Sequence, residues 1–484
     1  MSHKRIKIYP HFDGPLTPTQ AAKLVSDPMN VIRHRFFPFL QRTQRWTKFA
    51  KKGTPRENVE SKTRPIRYAS RRDSYVFSHY REILKPLYEA ELTRLGLGNS
   101  VLAYRKIKSG QGRGGKCNIH FAGEAFRQIR AMDECWVFAL DIQQFFETVE
   151  HKHLKMMWGH LLGRNTTNAG EKILPKDHHQ VFKAVTQYSF VDVRAVYQEL
   201  GIVGEKRGPD GKKKIGTLVR RNDIPLQLCK PQVFREKLKK HIQSNPNAFG
   251  VPQGSPISDL LANLYMLRFD ERMHNLMLSK GGVYFRYSDD ILIILPGLME
   301  TIDEFLASID EALNESSPGL KIKAKKTQIY RFSRPAGSSD QTSTQLHKSK
   351  GADGLEYLGF RYDGSQILLR NSTISGIKRK ITGSANAMAR RHVEANPGMS
   401  LEALKSSFNY GILISKFGRA REFDAGDKKY SEWTFWTYVR RSTEILGALG
   451  SNIMHQMRLY KSFARTKARK AIDKRWKIIA KAKP

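Results

Sequence analysis

The string Tyr287-Ser288-Asp289-Asp290 places two adjacent carboxylates between apolar, strand-forming runs, VYF before and ILIIL after. Like charges at a tight turn repel, and a divalent cation relieves the repulsion. A turn also lets both groups approach one site, because strict strand alternation would send them to opposite faces. Taken alone, the pair is equally an ordinary Asp-Asp hairpin turn. A third acid, Asp141, closes the apolar run WVFALDI. An ionised group ending a buried strand needs a partner or a metal, unless it caps the helix expected soon after it. Together the three acids offer what two-metal phosphoryl transfer requires, carboxylates on separate strands converging on cations about 3.5–4 Å apart. One cation would activate an attacking hydroxyl, and the other would steady the leaving group.

The elements that position these acids follow from periodicity. Residues 136–150 read as a buried strand running into an aromatic turn, and VYFRYSDDILIIL at 283–295 as strand–turn–strand. EYLGFRY and QILLR form a hairpin around Asp363-Gly364. Residues 1–60 read as a basic helical extension, with Asp27 as N-cap before Pro28. From Arg64 to about Arg130, short strands and helices alternate around the glycine-rich SGQGRGGKCN. The stretch 163–248 has few apolar periods and reads as an insertion. Within it GIVGEKRGPDGKKKIGTLV makes a basic hairpin turning at Pro209-Asp210-Gly211. Residues 331–354 are polar and read as a loop. Beyond about 372 the pattern is helical: Trp436, Val439, Thr443, Leu446, Gly450, Ile453, Met457 and Tyr460 share one face by steps of three and four.

Composition narrows the partners. The 484 residues carry 84 Lys and Arg against 45 Asp and Glu, a net of +39. Such an excess repels itself unless a polyanion screens it, which favours nucleic acid over a ribosome-associated role or an anionic membrane surface. Residues 455–484 concentrate eleven Lys or Arg against one Asp and are expected to contact phosphates. Cys117, Cys135 and Cys229 lack the spacing of a zinc site or a disulfide framework. With no apolar run long enough to span a bilayer and no secretory leader, a soluble, cytoplasmic protein without membrane partners is expected.

Several segments carry a resemblance to a known family. LDIQQFFETV resembles the first palm motif of reverse transcriptases, and FRYSDDILII their Tyr-x-Asp-Asp hairpin. GVPQGSPISDLLANLYM, lying between them in the family's order, resembles the loop beneath the templating base and incoming nucleotide. RPIRYASRRDSYVF at 64–77 and LAYRKIKSG at 102–110 are similar to the two fingers segments. KKTQIY at 325–330 and EYLGFRY resemble a further palm segment and the primer grip. The implied fold is α+β, a right-hand polymerase with an antiparallel palm sheet and helical N- and C-terminal regions. Its parts would be the extension at 1–60, fingers at 61–135 and palm at 136–370 with the insertion at about 163–248. A helical thumb and basic C-terminal region would fill 371–484.

What this resemblance implies is specific. Asp141, Asp289 and Asp290 would be catalytic and, with Ile142, would hold two Mg²⁺ ions, for which Mn²⁺ can substitute. Gln253 and Gly254 would lie against the nucleotide, with Ser258 or Asp259 capping the helix that follows. Arg64, Arg72 and Arg105 would hold the triphosphate, and Lys326 would approach the leaving phosphate. Phe146, five residues after Asp141, would sit beneath the sugar and exclude a 2′-hydroxyl, selecting dNTPs; the other reading makes Phe145 and Phe146 core residues. The layout is most similar to bacterial defence-associated, abortive-infection-type reverse transcriptases. That implies a dedicated non-coding RNA template, a DNA product and, in some members, homo-oligomers. A group II intron maturase and a retron reverse transcriptase are the competing readings.

Overall fold

The computed structural model describes residues 9–47, 61–110, 114–164, 174–207, 213–297, 301–346, 354–418 and 434–480. Its strands, in chain order, are β1 (Phe39–Thr47), β2 (Ser61–Tyr68), β3 (Glu134–Asp141), β4 (Ser189–Asp192), β5 (Val203–Arg207), β6 (Lys213–Thr217) and β7 (Gln243–Ser244). They continue with β8 (Val283–Tyr287), β9 (Asp290–Pro296), β10 (Gln328–Ser333), β11 (Thr342–Gln345), β12 (Leu355–Tyr357), β13 (Phe360–Tyr362) and β14 (Ile367–Leu369). Among the described residues four sheets result, ordered β2-β1-β4-β7, β11-β10-β3-β9-β8, β12-β13-β14 and β5-β6. The chain is thus α+β, with an antiparallel five-stranded sheet at its centre.

The central sheet is covered on both sides, which is why β3 and β9 read as unbroken apolar runs. Strand alternation divides their side chains between two cores. Trp136, Phe138, Leu140, Ile291, Ile293 and Leu295 enter one core with the helices Arg71–Arg94, His151–Leu161, Ser258–Tyr265 and Leu267–Ser279. Cys135, Val137, Ala139, Leu292 and Ile294 enter the other, against the helix Asn118–Ala131, the β12–β14 sheet and the C-terminal helices. In that second core Ala385 and Ala389 of the Asn371–Ala395 helix bury with Ala464 and Ala468 of the Tyr460–Ala480 helix. Small side chains let the two long helices approach closely.

Several expectations change. The N-terminal extension is not helical throughout: Pro18–Val25 and Pro28–Arg33 are helices, the second capped by Asp27 as read, but β1 follows. β1 pairs with β2 from Leu40↔Tyr68 to Thr47↔Ser61, and most of its side chains beyond Leu40 are exposed, so no hydrophobic period announced it. The 163–248 stretch supplies β4 and β7 to the sheet of β1 and β2, and its Lys176–Thr186 helix buries Val181, Phe182 and Val185 in the first core. The basic hairpin forms as β5 and β6, while the Pro209-Asp210-Gly211 turn lies outside the described residues. Residues 331–354 are not all loop, because β11 pairs along β10; Thr-rich, polar segments suit an edge strand. The C-terminal face is real but not one helix. A helix at Phe435–Leu446 breaks at Gly447, whose φ of 60° is left-handed, and 3-10 turns carry Gly450, Ile453 and Met457 to the same core. Among the described residues no helix is long and apolar enough to cross a membrane.

Candidate active site

Asp141 ends β3 and Asp290 begins β9, and the register sets them directly opposite each other. Both share the strand parity of Ala139 and Leu292, so both project to the side of the β12–β14 sheet. Asp289 lies in the two-residue turn between β8 and β9, and its carbonyl accepts the Ile142 N–H at 2.9 Å. Three acids therefore meet at one end of the central sheet. Opposed like charges destabilise a strand pair. Burial, then the charges of Asp289 and Asp141, push the Asp290 carboxyl up to about 7.

The Lys326 ammonium pairs with the Asp141 carboxylate, and the Lys323 N–H donates to the Asp141 carbonyl at 2.8 Å. Among the described residues no three His, Cys, Asp or Glu side chains are gathered tightly enough to form a ready ion site. The donor set still fits divalent cations in type: hard carboxylate oxygens, crowded enough that one of them favours its proton. Lys326 engages Asp141 through Oδ2. Above the acids, the buried Tyr357 hydroxyl of β12 has no hydrogen-bond partner, and burial with the charge of Asp290 holds its pKa well up.

A buried network fixes the turn. Ser288 has a φ of 63°, costly for a residue with a Cβ. Its carbonyl accepts from Arg286 Nη1 at 3.1 Å, and its hydroxyl lies 3.0 Å from the Tyr104 hydroxyl. Arg286 and Asp270 are wholly buried and paired through two 2.6 Å hydrogen bonds, while Arg286 Nη1 also donates to Asn263 Oδ1 at 3.1 Å. Tyr284 donates to Asp270 at 2.7 Å, and Asn263 Nδ2 donates to the Ala103 carbonyl at 3.0 Å. One guanidinium thus ties the aspartate turn to two helices, and through Asn263 to the segment at 102–104. Sequence reasoning missed this network. Its signal was an arginine inside a strand otherwise buried, which demands a buried acid.

The Gly/Pro loop packs against β2 and against the segment that follows β3. Gly254 has a φ of 117°, and a Cβ there would stand 2.8 Å from the Arg67 carbonyl. Arg67 N–H donates to the Gln253 carbonyl at 2.9 Å, and Val251 N–H to that of Phe146 at 2.8 Å. Phe145 is buried in the core, as one of the two readings held for that residue, whereas Phe146 is only half-buried. Ser258 does not cap the helix, its Oγ donating to the Pro252 carbonyl at 2.8 Å; Asp259, inside the first turn, accepts from the Leu260 N–H at 2.8 Å and takes a bidentate pair from Arg81.

The basic candidates divide. Arg105 is not available to a triphosphate: its guanidinium donates to Glu89 and to the Gly98 and Val101 carbonyls, a structural role. Arg72 is exposed at the start of the Arg71–Arg94 helix and lines a side pocket with Phe12, Gln227 and Phe234, apart from the aspartates. Arg64 lies on β2 with its guanidinium 5.6 Å from the Trp46 ring. Lys62, two residues earlier and on the same strand face, feels the charges of Lys326, Arg64, Asp141 and Lys323, and burial with those cations lowers its pKa. Lys62 was overlooked; strand parity with Arg64 was the available signal.

The raised Asp290 pKa has a testable consequence. A carboxyl raised in the folded state adds stability below its unfolded value near 3.8, and loses it as pH climbs through about 7. Asp290→Asn is therefore expected to stabilise the metal-free chain by about 1–3 kcal/mol at pH 8 and by little at pH 4. Urea melts in chelator at both pH values measure this, and equal gains would refute it.

Comparison with known proteins agrees with the motif reading. Residues 221–362 match the family described as reverse transcriptase (RNA-dependent DNA polymerase). Over 108 residues the chain is 33% identical to the Retron Ec86 reverse transcriptase of Escherichia coli, covering 22% of this chain and 31% of that protein. The chain thus spans about a third of that curated relative. Among solved structures, telomerase from Candida albicans with a fragment of telomeric RNA aligns over 92% of this chain and 62% of its own. Its TM-score is 0.39 at 12% identity. Apo telomerase from Candida tropicalis aligns over 85% and 61%, with a TM-score of 0.35 at 10% identity.

Proposed function

We propose that this chain, which carries a reverse transcriptase domain matched at residues 221–362, is an RNA-directed DNA polymerase that extends a 3′-hydroxyl with dNTPs. The observation that carries the reading is the β3–β9 register, which sets Asp141, outside the matched segment, opposite Asp290 inside it. On this reading residues 61–135 are the fingers, 136–370 the palm and 371–484 the thumb and basic C-terminal region. Two Mg²⁺ ions, when bound, supply the Lewis acidity that activates the hydroxyl and neutralises the departing pyrophosphate. Asp141, Asp289 and Asp290 would hold them, beside the Ile142 backbone. Lys326, which pairs with Asp141, would meet the triphosphate together with Lys62 and Arg64. The Gln253-Gly254 backbone supports the base pair.

Phe146 is the proposed sugar gate. It is half-buried, its carbonyl accepts from the Val251 N–H and its ring packs partly against the first core; on this reading the exposed part of the ring would meet a 2′-hydroxyl. Phe146→Ala is expected to raise ribonucleotide use relative to deoxynucleotide by about 10–100-fold in kcat/KM. Unchanged discrimination would return Phe146 to the core. The overall test is Mg²⁺-dependent deoxynucleotide incorporation on an RNA template by the purified chain; templating by DNA alone would refute the assignment.

We further propose a bacterial, cytoplasmic anti-phage role with a dedicated non-coding RNA as template. The 33% identity to a retron reverse transcriptase favours a second reading, in which DNA becomes joined to the enzyme's own RNA. Sequencing nucleic acid that copurifies, with a check for RNA–DNA linkage, separates the two.

A further inference from the structure

The β5–β6 ribbon has no role in the reading above, yet its charges are arranged at a cost. Among the described residues of its two strands, the register sets Lys206 opposite Lys214 and Arg207 opposite Lys213, and Glu205 pairs with Lys213 at 3.2 Å. Two consecutive like-charge pairs destabilise a two-stranded sheet that is marginal to begin with. A polyanion laid along the ribbon would reverse the sign of that term.

The ribbon also has a defined place. Val203 and Thr217, opposed at its base, line a groove of about 2040 Å³. At another point of its wall the groove meets Gly254 and Pro256, from the Gly/Pro loop that packs on β2. Arg42, Arg45, Arg194 and Arg221 line the groove as well. Tyr197 lies half-buried in the same wall, with the charges of Arg42 and Arg221 acting on its phenol. Aromatic rings set among guanidinium groups in a concave wall suit unstacked bases and a single backbone, not a duplex.

We propose that the β5–β6 ribbon is a phosphate-binding strap for single-stranded RNA lying in this groove. The strand reaches the Gly254 loop at one end and is held by Lys206, Arg207, Lys213 and Lys214 at the other. That the strand is RNA, and continuous with the template, rests on the polymerase reading; that the ribbon binds a single strand does not.

The test uses the full chain with Lys206→Gln, Arg207→Gln, Lys213→Gln and Lys214→Gln combined. The four side chains are exposed, and the Glu205–Lys213 ion pair lost with them is a surface one, so the melting temperature should change little. With a uridine-only RNA oligonucleotide as probe, affinity at low salt should fall roughly 10–100-fold. The slope of log K against log salt should flatten by about 2–3, near 0.7 per lost phosphate contact. A 4-thiouridine placed on the 5′ side of the templating base should crosslink to peptides spanning 203–217 in the wild type. Addition of a single nucleotide on a template whose 5′ overhang is one nucleotide long should not change. An unchanged salt slope, or crosslinks only elsewhere, overturns the strap. An equal loss on duplex RNA, or a loss confined to anionic vesicles, overturns its assignment to single strands. If the wild type fails to polymerise, the binding and slope measurements still decide the ribbon's role.

Discussion

Replacing Asp289 and Asp290 together by Ala is expected to reduce RNA-templated deoxynucleotide incorporation by at least about 10³-fold, since one preorganised electrostatic group is commonly worth about 10²–10³. The reason is positional. The two acids and Asp141 are the carboxylates that the β3–β9 register and the adjoining turn bring together. The fold should survive, because Asp290 is held under repulsion from Asp289 and Asp141. Its removal relaxes the site, and the double variant should melt at or above the wild-type temperature in chelator. Primer extension with matched circular dichroism melts measures both. Wild-type incorporation by a well-folded double variant would remove the proposed mechanism.

Arg286→Met is expected to cost about 3–5 kcal/mol of stability, the range for stripping one partner from a buried ion pair. Asp270 would be left wholly buried with the Tyr284 hydroxyl as its remaining side-chain donor. Removing both charges, as Arg286→Met with Asp270→Leu, should recover much of that loss, because neither partner is then stranded. Activity should not recover. Without the Arg286 donor the Ser288 carbonyl loses its tie, and the left-handed turn carrying Asp289 loses its support. Urea denaturation of the single and double variants, with primer extension on whichever folds, separates the two effects. A single variant within about 1 kcal/mol of wild type would contradict the stability argument; a fully active double variant would contradict the positioning one.

The aspartate hairpin was legible because each of its signals is local: a short apolar run, a turn and a second run. β3 was legible for the same reason. What stayed hidden depends on partners distant in sequence. β1 shows few buried side chains, so only its pairing with β2 and β4 declares it a strand. β11 is an edge made of Thr, Ser and Gln and reads as loop until β10 is placed beside it. Arg105 looked like a phosphate ligand because a sequence motif cannot show that Glu89 and two carbonyls already occupy its donors. Lys62 was the opposite case, an unremarked lysine whose position is set by β2 and not by its neighbours.

The two-faced central sheet bears on how the molecule assembles. Ile291, Ile293 and Leu295 belong to one core, and Leu292 and Ile294 to the other. A slip of β9 by one residue would send every one of these side chains to the wrong lobe. The same slip would carry Asp290 out of line with Asp141. Mispaired chains would therefore lose solubility and chemistry in a single event, leaving no compact but idle species for the cell to accumulate. Quality control of folding and integrity of the reaction centre are read from the same few hydrogen bonds.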